Sequence, residues 1–283
     1  MNLKKILPLF IVLSCVLCGC KTSDPMEKFY KYYHVSTEPG ELIGITIVSC
    51  SLDTEEIQIP SEISGKKVIG LDGGMIEDGP YLGAFEACSG NIKRIVIPEG
   101  VEEIGERVFA DSISIESISL PESLSKIGER AFQYCEGLTE LKLPENVTAL
   151  YNSEFIGCKG LKEVKLSEGL TYIGQQSFSG CASLEEIEIP STVETIEAYA
   201  FANCSSLSQV TLHDGLSHIN QFAFHKCENL TDITIPDTVE KISQDAFTGC
   251  YDITVHYKGE DYDYSRLEEI YTFEELGYEV YFY

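Results

Sequence analysis

Phenylalanine recurs along this chain at a fixed step. Phe85, Phe109, Phe132, Phe155, Phe178, Phe201, Phe224 and Phe247 stand 24 and then six times 23 residues apart. Cysteine keeps the same beat. Cys88, Cys135, Cys158, Cys181, Cys204, Cys227 and Cys250 each follow a Phe by three residues, and Ser112 takes the one vacant slot. The single step of 24 comes from one extra residue after Cys88: Ile92 follows it by four positions, whereas Leu138, Leu161, Leu184, Leu207 and Leu230 follow their cysteines by three. A unit this short buries its apolar side chains only against its neighbours, so a repeat solenoid is expected.

One coil shows how the unit is built. In residues 184–204, Ile187 and Ile189 alternate with Glu186 and Glu188, which is the period-2 pattern of a strand with one face inward. Pro190 ends that strand because proline cannot donate to a ladder. Val193 and Ile196 turn inward again along a second short segment. A glycine often follows, as at Gly105, Gly128 and Gly174, which suits a bend. The Ala-Phe-x-x-Cys stretch reads as a helical or 3₁₀ turn. Coils in register give a parallel sheet on one face and these turns on the other. About eight coils at about 4.8 Å each make a body about 40 Å long.

The pattern Leu-x-x-Ile-x-Ile-Pro-x-x-Val-x-x-Ile-Gly-x-x-Ala-Phe-x-x-Cys resembles the BspA-type leucine-rich repeat of bacterial and protist surface proteins. The likeness covers residues 84–256 closely and the flanks loosely. It implies a solenoid that recognises other molecules, a host matrix protein such as fibronectin or fibrinogen among them; no catalytic constellation or cofactor motif is found beside it, so neither catalysis nor a cofactor is expected.

The flanks depart from the pattern. Residues 29–83 read as an N-terminal cap and a degenerate coil: 29–35 and 44–48 as a hairpin over the open sheet edge, then Ile57, Ile59 and Pro60, then Val68-Ile69-Gly70. Residues 71–83 insert thirteen positions where a regular coil has two, either a functional loop or an ornament. Residues 257–283 read as a C-terminal cap, with a helix over 266–276 closed by Gly277 and a last strand over 278–283. Eight of the sixteen tyrosines lie from Tyr251 to Tyr283, which leaves a tyrosine-rich binding patch as the other reading.

Forty-six acids against twenty bases give a formal charge of −26, which sets the chain against nucleic acid and anionic lipid. Its 43% apolar content belongs to a folded protein. Residues 1–19 have the charged start and short apolar run of an export signal. Leu17-Cys18-Gly19-Cys20 resembles a lipobox, which implies acylation of Cys20 after cleavage, with 20–28 as a tether. Cleavage there would remove Lys4 and Lys5 and no acid, taking the charge from −26 to −28. Charge would then not hold the protein to a membrane, whereas acyl chains on Cys20 would. The expected location is therefore extracytoplasmic, at a bacterial cell surface, and a monomer is expected.

Several features invite a chemical reading. The seven repeat cysteines supply one thiol per coil on a single line, unlike the converging ligands of a zinc site. Parallel Cβ atoms about 4.8 Å apart are too distant for disulfides, so buried free thiols are expected. Glu99, Glu122, Glu145, Glu168, Asp214 and Asp237 form an acidic line broken by Ser191, either a solvated ladder repelling by about 0.8 kcal/mol per neighbour or a calcium stripe. The outward strand rows, such as Glu140, Glu163 and Glu186, contain no aromatic residue. Tyr199 and Phe222, at matched positions of adjacent coils, are candidate partner-binding residues together with Tyr172, although packing between coils would also place the first two there. The five histidines show no ligand spacing, and no Ser/His/Asp, Cys/His or phosphate-loop motif is found. A recognition or adhesion scaffold for a protein ligand is the leading reading, with polysaccharide capture or a structural envelope role as alternatives.

Overall fold

The computed structural model of the protein describes residues 30–35, 44–50, 54–73, 85 and 91–272. The molecule is a parallel β-solenoid of about eight turns of about 23 residues, and each regular coil runs along three sides. The first side is a short strand such as Glu186–Glu188, whose glutamates point outward while Ile187 is buried between them. Pro190 stops it, and the Pro190 carbonyl accepts from Val193 N–H at 3.0 Å to close a turn. The second side is a two-residue strand, Thr195–Ile196. The third carries Ala200 and Phe201 on tight turns.

Register follows the period. Tyr172 pairs with Thr195 and Thr195 with His218, while Ile173 pairs with Ile196 and Ile196 with Ile219, each 23 positions on. Along the first side Glu140–Lys142 pairs with Glu163–Lys165 and Glu186–Glu188 with Gln209–Thr211, again in parallel.

The third side is neither helix nor strand, yet its backbone is satisfied by an alternating scheme. Within a coil, Ala131 N–H donates to Gly128 O at 3.2 Å, Gln133 to Arg130 at 3.0 Å and Cys135 to Phe132 at 3.2 Å, the i to i−3 spacing of a 3₁₀ turn. The peptides between them reach the next coil, with Arg130 N–H on Asn152 O, Phe132 on Glu154 O and Tyr134 on Ile156 O. Alternating the peptide direction requires two left-handed residues per coil. They fall two before and two after each Phe from Phe109 to Phe247, as at Arg130 (φ 56°) and Tyr134 (φ 55°). Buried amides without partners would cost about 1–3 kcal/mol each, so this commitment of the backbone ties each turn to its neighbours.

The core is one column. The eight repeat Phe side chains are fully buried. From Phe132 to Phe247 successive rings lie 5.1–5.6 Å apart and within 7° of parallel. The pair spanning the 24-residue step, Phe85 and Phe109, is tilted by 31°, so the extra residue is felt inside the column.

One ladder is interrupted. After each second strand, a backbone N–H donates to the preceding coil: Gly128 to Ile104 O (2.7 Å), Gly174 to Leu150 O (2.9 Å) and Glu197 to Ile173 O (3.1 Å). The equivalent Tyr151 N–H donates instead to the Glu154 carboxyl of its own coil. Strands Lys126–Ile127 and Ala149–Leu150 accordingly belong to different sheets. Glu154 is fully buried at the position before Phe, where the other coils have Ala, Val or Ser. The displaced Tyr151 carbonyl sits so close to Gly174 that a Cβ on this glycine would lie 1.2 Å from it. Gly174 is therefore needed to accommodate its neighbour rather than for a positive φ.

Both ends differ from the regular coils. Tyr30–Val35 pairs antiparallel with Gly44–Cys50, which pairs in parallel with Lys66–Leu71, so the first bend strand has no open edge. Glu56–Gln58 pairs with Arg94–Val96, making residues 56–71 a coil in its own right. At the other end the expected helix over 266–276 does not form over its described residues 266–272. Thr254–Tyr257 and Glu260–Asp263 make an antiparallel hairpin across Lys258 and Gly259, both left-handed. A 3₁₀ helix, Tyr264–Glu269, follows, capped where Asp263 accepts from Ser265 N–H at 2.9 Å, with Leu267 buried. The expected strand 278–283, residues 74–83 of the insertion and the segment 1–29 that contains Cys20 lie outside the described residues.

Candidate functional site

The repeat cysteines are built into the column. Cys135, Cys158, Cys181, Cys204, Cys227 and Cys250 are free and fully buried, while Cys88 lies outside the described residues. Each thiol donates to the carbonyl of the Phe one coil earlier, as in Cys135 to Phe109 O (3.1 Å), Cys181 to Phe155 O (3.3 Å) and Cys250 to Phe224 O (3.1 Å). The slot thus asks for a small side chain that reaches a carbonyl. Ser112, with a shorter bond from Cβ, is equally buried and its hydroxyl has no partner. Burial pushes the Cys158 and Cys204 thiols up to about 12, so the thiolate that redox or nucleophilic chemistry requires does not form at neutral pH.

Glu154 is the buried titratable group that sequence reasoning missed. Burial raises its carboxyl to about 7, against the pull of its backbone hydrogen bonds and of Ser177. Both of its oxygens accept hydrogen bonds. It takes the Tyr151 N–H on one oxygen, and its other oxygen accepts from Ser177 Oγ at 3.3 Å, a hydroxyl that also reaches Gly174 O at 2.9 Å. The available signal was a Glu in the Ala column of the repeat.

On the acidic line, carboxylates serve the next turn. Glu99 accepts from Glu122 N–H at 3.0 Å and Ser123 N–H at 3.2 Å, and Glu145 accepts from Glu168 N–H at 3.2 Å. Among the described residues no group of three or more His, Cys, Asp or Glu is placed to hold a metal ion.

Two surface depressions run across several coils. One, about 470 Å³, lies on the strand face and is lined by Glu163, Glu168, Glu186 and Glu188, with Lys165 and His213 among them. His213 Nε2 lies 2.9 Å from Glu188. The other, about 790 Å³, lies on the turn side and contains no Asp or Glu among its thirteen lining residues. One wall is the row two before each Phe: Arg107, Arg130, Ser153, Gln176, Tyr199 and Phe222. The other runs from Gln133 through Ile156 and Ser179 to His225 and Lys226. Every residue of the first wall is left-handed, with φ from 55° to 61°, and none is glycine. A side chain there costs about 1–2 kcal/mol that glycine would avoid.

Of the three sequence candidates, two lie in this groove. Tyr199 and Phe222 stack with centroids 4.8 Å apart, and Phe222 meets the His225 ring edge-on at 5.4 Å. With Ala198 and Ala202 they form an apolar cluster separate from the main core; Tyr199 is only 8% exposed and Phe222 half-buried. Burial raises the Tyr199 hydroxyl above its ordinary value, with Asp245 adding to the effect. Tyr172 is elsewhere, on the second-side ladder between Ala149 and Thr195.

This architecture matches known repeats. The model of the BspA type leucine rich repeat region matches in six copies, over residues 81–208 and 173–258. No curated protein matches the chain in sequence. Among solved structures, a leucine rich repeat protein of T. pallidum is similar at a TM-score of 0.62 and 24% identity, covering 75% of this chain and 91% of that one. A leucine-rich repeat protein from Bacteroides ovatus is similar at 0.58 and 22%, covering 81% and 66%. One from Eubacterium ventriosum is similar at 0.56 and 23%, covering 70% and 64%. At these identities the likeness speaks for the fold alone. With more than half of its length matched by that repeat, the chain belongs to the BspA-type leucine-rich repeat family.

Proposed function

We propose that this protein is a non-catalytic recognition scaffold that binds a protein partner along the turn-side groove and is held at a bacterial surface by lipid on Cys20. One observation carries the reading: in a chain with 46 acids, the groove is lined by arginine, lysine, aromatic and neutral polar side chains and by no carboxylate. A lining without carboxylates on so acidic a body, with Asp245 just beyond its Phe222 end, sets a local potential that steers partners of opposite sign. The stacked pair at one end supplies the half-buried aromatic anchor typical of protein interfaces. Protein is favoured over sugar because the Tyr199 ring is covered by Phe222 and has little face left for stacking on a pyranose.

Pull-down of host matrix and bacterial surface proteins by the mature chain tests the binding function. Capture that is weakened by Phe222→Ala is expected, and no saturable partner in a broad screen would contradict it. Palmitate labelling of wild type and Cys20→Ala tests attachment, with label expected on the first alone.

A further inference from the structure

The groove also restricts what kind of partner segment fits. Resting on the reading above, we infer that its occupant is an extended acidic peptide segment carrying an aromatic residue, laid along the stack across six coils.

Length, charge and anchor support this together. From Arg107 to Phe222 there are five coil steps, about 24 Å at about 4.8 Å per step. An extended peptide advances about 3.3 Å per residue, so about eight residues span the groove. A helix of the same length would need about 16 residues and a width of about 10 Å. Cationic side chains stand at both ends, Arg107 and Arg130 at one and Lys226 at the other. Glu106 lies 3.8 Å from Arg107, outside the lining. An occupant with carboxylates near both ends meets cations at both, and an aromatic side chain toward the Lys226 end meets the half-buried Phe222. Basic segments are disfavoured by the same cations.

The test uses the mature full chain and three acetylated, amidated octapeptides with a Phe-Tyr pair at positions six and seven and the other six positions all glutamate, all glutamine or all lysine, with trigalacturonate as an anionic sugar. Fluorescence anisotropy is expected to rank the glutamate peptide at least tenfold above the other three probes. Binding should weaken as salt rises. Arg107→Gln/Arg130→Gln should lose about tenfold on the glutamate peptide, the loss expected from two partly exposed ion pairs. Phe222→Ala should lose about thirtyfold, while Glu163→Gln/Glu186→Gln on the strand face should stay within twofold. Unchanged melting temperatures separate these losses from unfolding. Equal binding of the glutamine peptide, or retention by both groove variants, would overturn the acidic-peptide assignment. Trigalacturonate binding as tightly, with the same arginine dependence, would replace peptide by an anionic glycan. If these probes fail while pull-down still finds a partner sensitive to Phe222→Ala, the ligand class is wrong and the scaffold reading stands; failure of both assays would contradict both.

Discussion

The strand face and the turn side are made by the same coils and follow opposite rules. On the strand face, outward residues stand on extended backbone with no conformational cost, and the position accepts Arg94, Ser117, Glu140 or Gln209 alike. Its ion pairs, such as Arg94 to Glu56 at 3.0 Å and Lys142 to Glu122 at 3.7 Å, are exposed and contribute about 0–1 kcal/mol each. On the turn side every second peptide is committed to the neighbouring coil, two residues per coil are left-handed, and the outward side chains converge on a groove. A change of residue on the first face alters surface charge. On the second it disturbs backbone, core or groove.

The contrast sets a scale for substitution. The largest effect is expected inside the turn side: Phe178→Ala removes a ring from the middle of the column and should cost about 3–5 kcal/mol, read from urea midpoints, against less than about 0.5 kcal/mol for Glu186→Ala. Comparable costs for the two would break the comparison.

Glu154 follows. Its carboxyl ordinarily titrates near 4.5 and in the fold near 7, so the native state holds its proton more tightly than the unfolded chain. Its contribution to stability is therefore greatest below pH 4.5, declines as pH rises from 4.5 to 7, and is a full penalty of about 3 kcal/mol above that. Glu154→Gln keeps an acceptor for Tyr151 N–H without the charge. It should match wild type at pH 4 and exceed it by about 3 kcal/mol at pH 8, and a pH-independent difference would contradict the buried-carboxyl account.

Cys181→Ser is expected to cost about 1–2 kcal/mol, since the shorter side chain leaves a buried hydroxyl in the state already seen at Ser112. Smallest of all, Arg94→Ala should cost less than about 1 kcal/mol, and that loss should fade in 1 M salt.

The solenoid was legible in the sequence because a period of 23 leaves few topologies, and the pairing of Ile173 with Ile196 and Ile219 is that period in space. The thiol line was legible as buried filling. Its hydrogen bonds were not, because they depend on where the preceding Phe carbonyl points. Glu154 was visible as an exception in the Ala column, but its capture of the Tyr151 amide is a backbone rearrangement that no pattern encodes. Reading one row at a time exposed Tyr199 and Phe222. The groove needed a second row, three or four positions on in the same coil as in Phe222 and His225, which becomes a wall only when the coils stack. In the described part of the expected helix 266–276 a 3₁₀ helix forms instead, started by the Asp263 cap after the Lys258-Gly259 turn.

The central claim is that recognition belongs to the turn side, and a hydrogen-exchange footprint of the full chain at saturating glutamate octapeptide tests it most directly. Protection is expected at the groove-wall amides of residues 107, 130–134, 153–156, 176–179, 199–203 and 222–226, with strands Glu140–Lys142, Glu163–Lys165 and Glu186–Glu188 unchanged. Protection centred on those strands, with the groove walls unaffected, would contradict it.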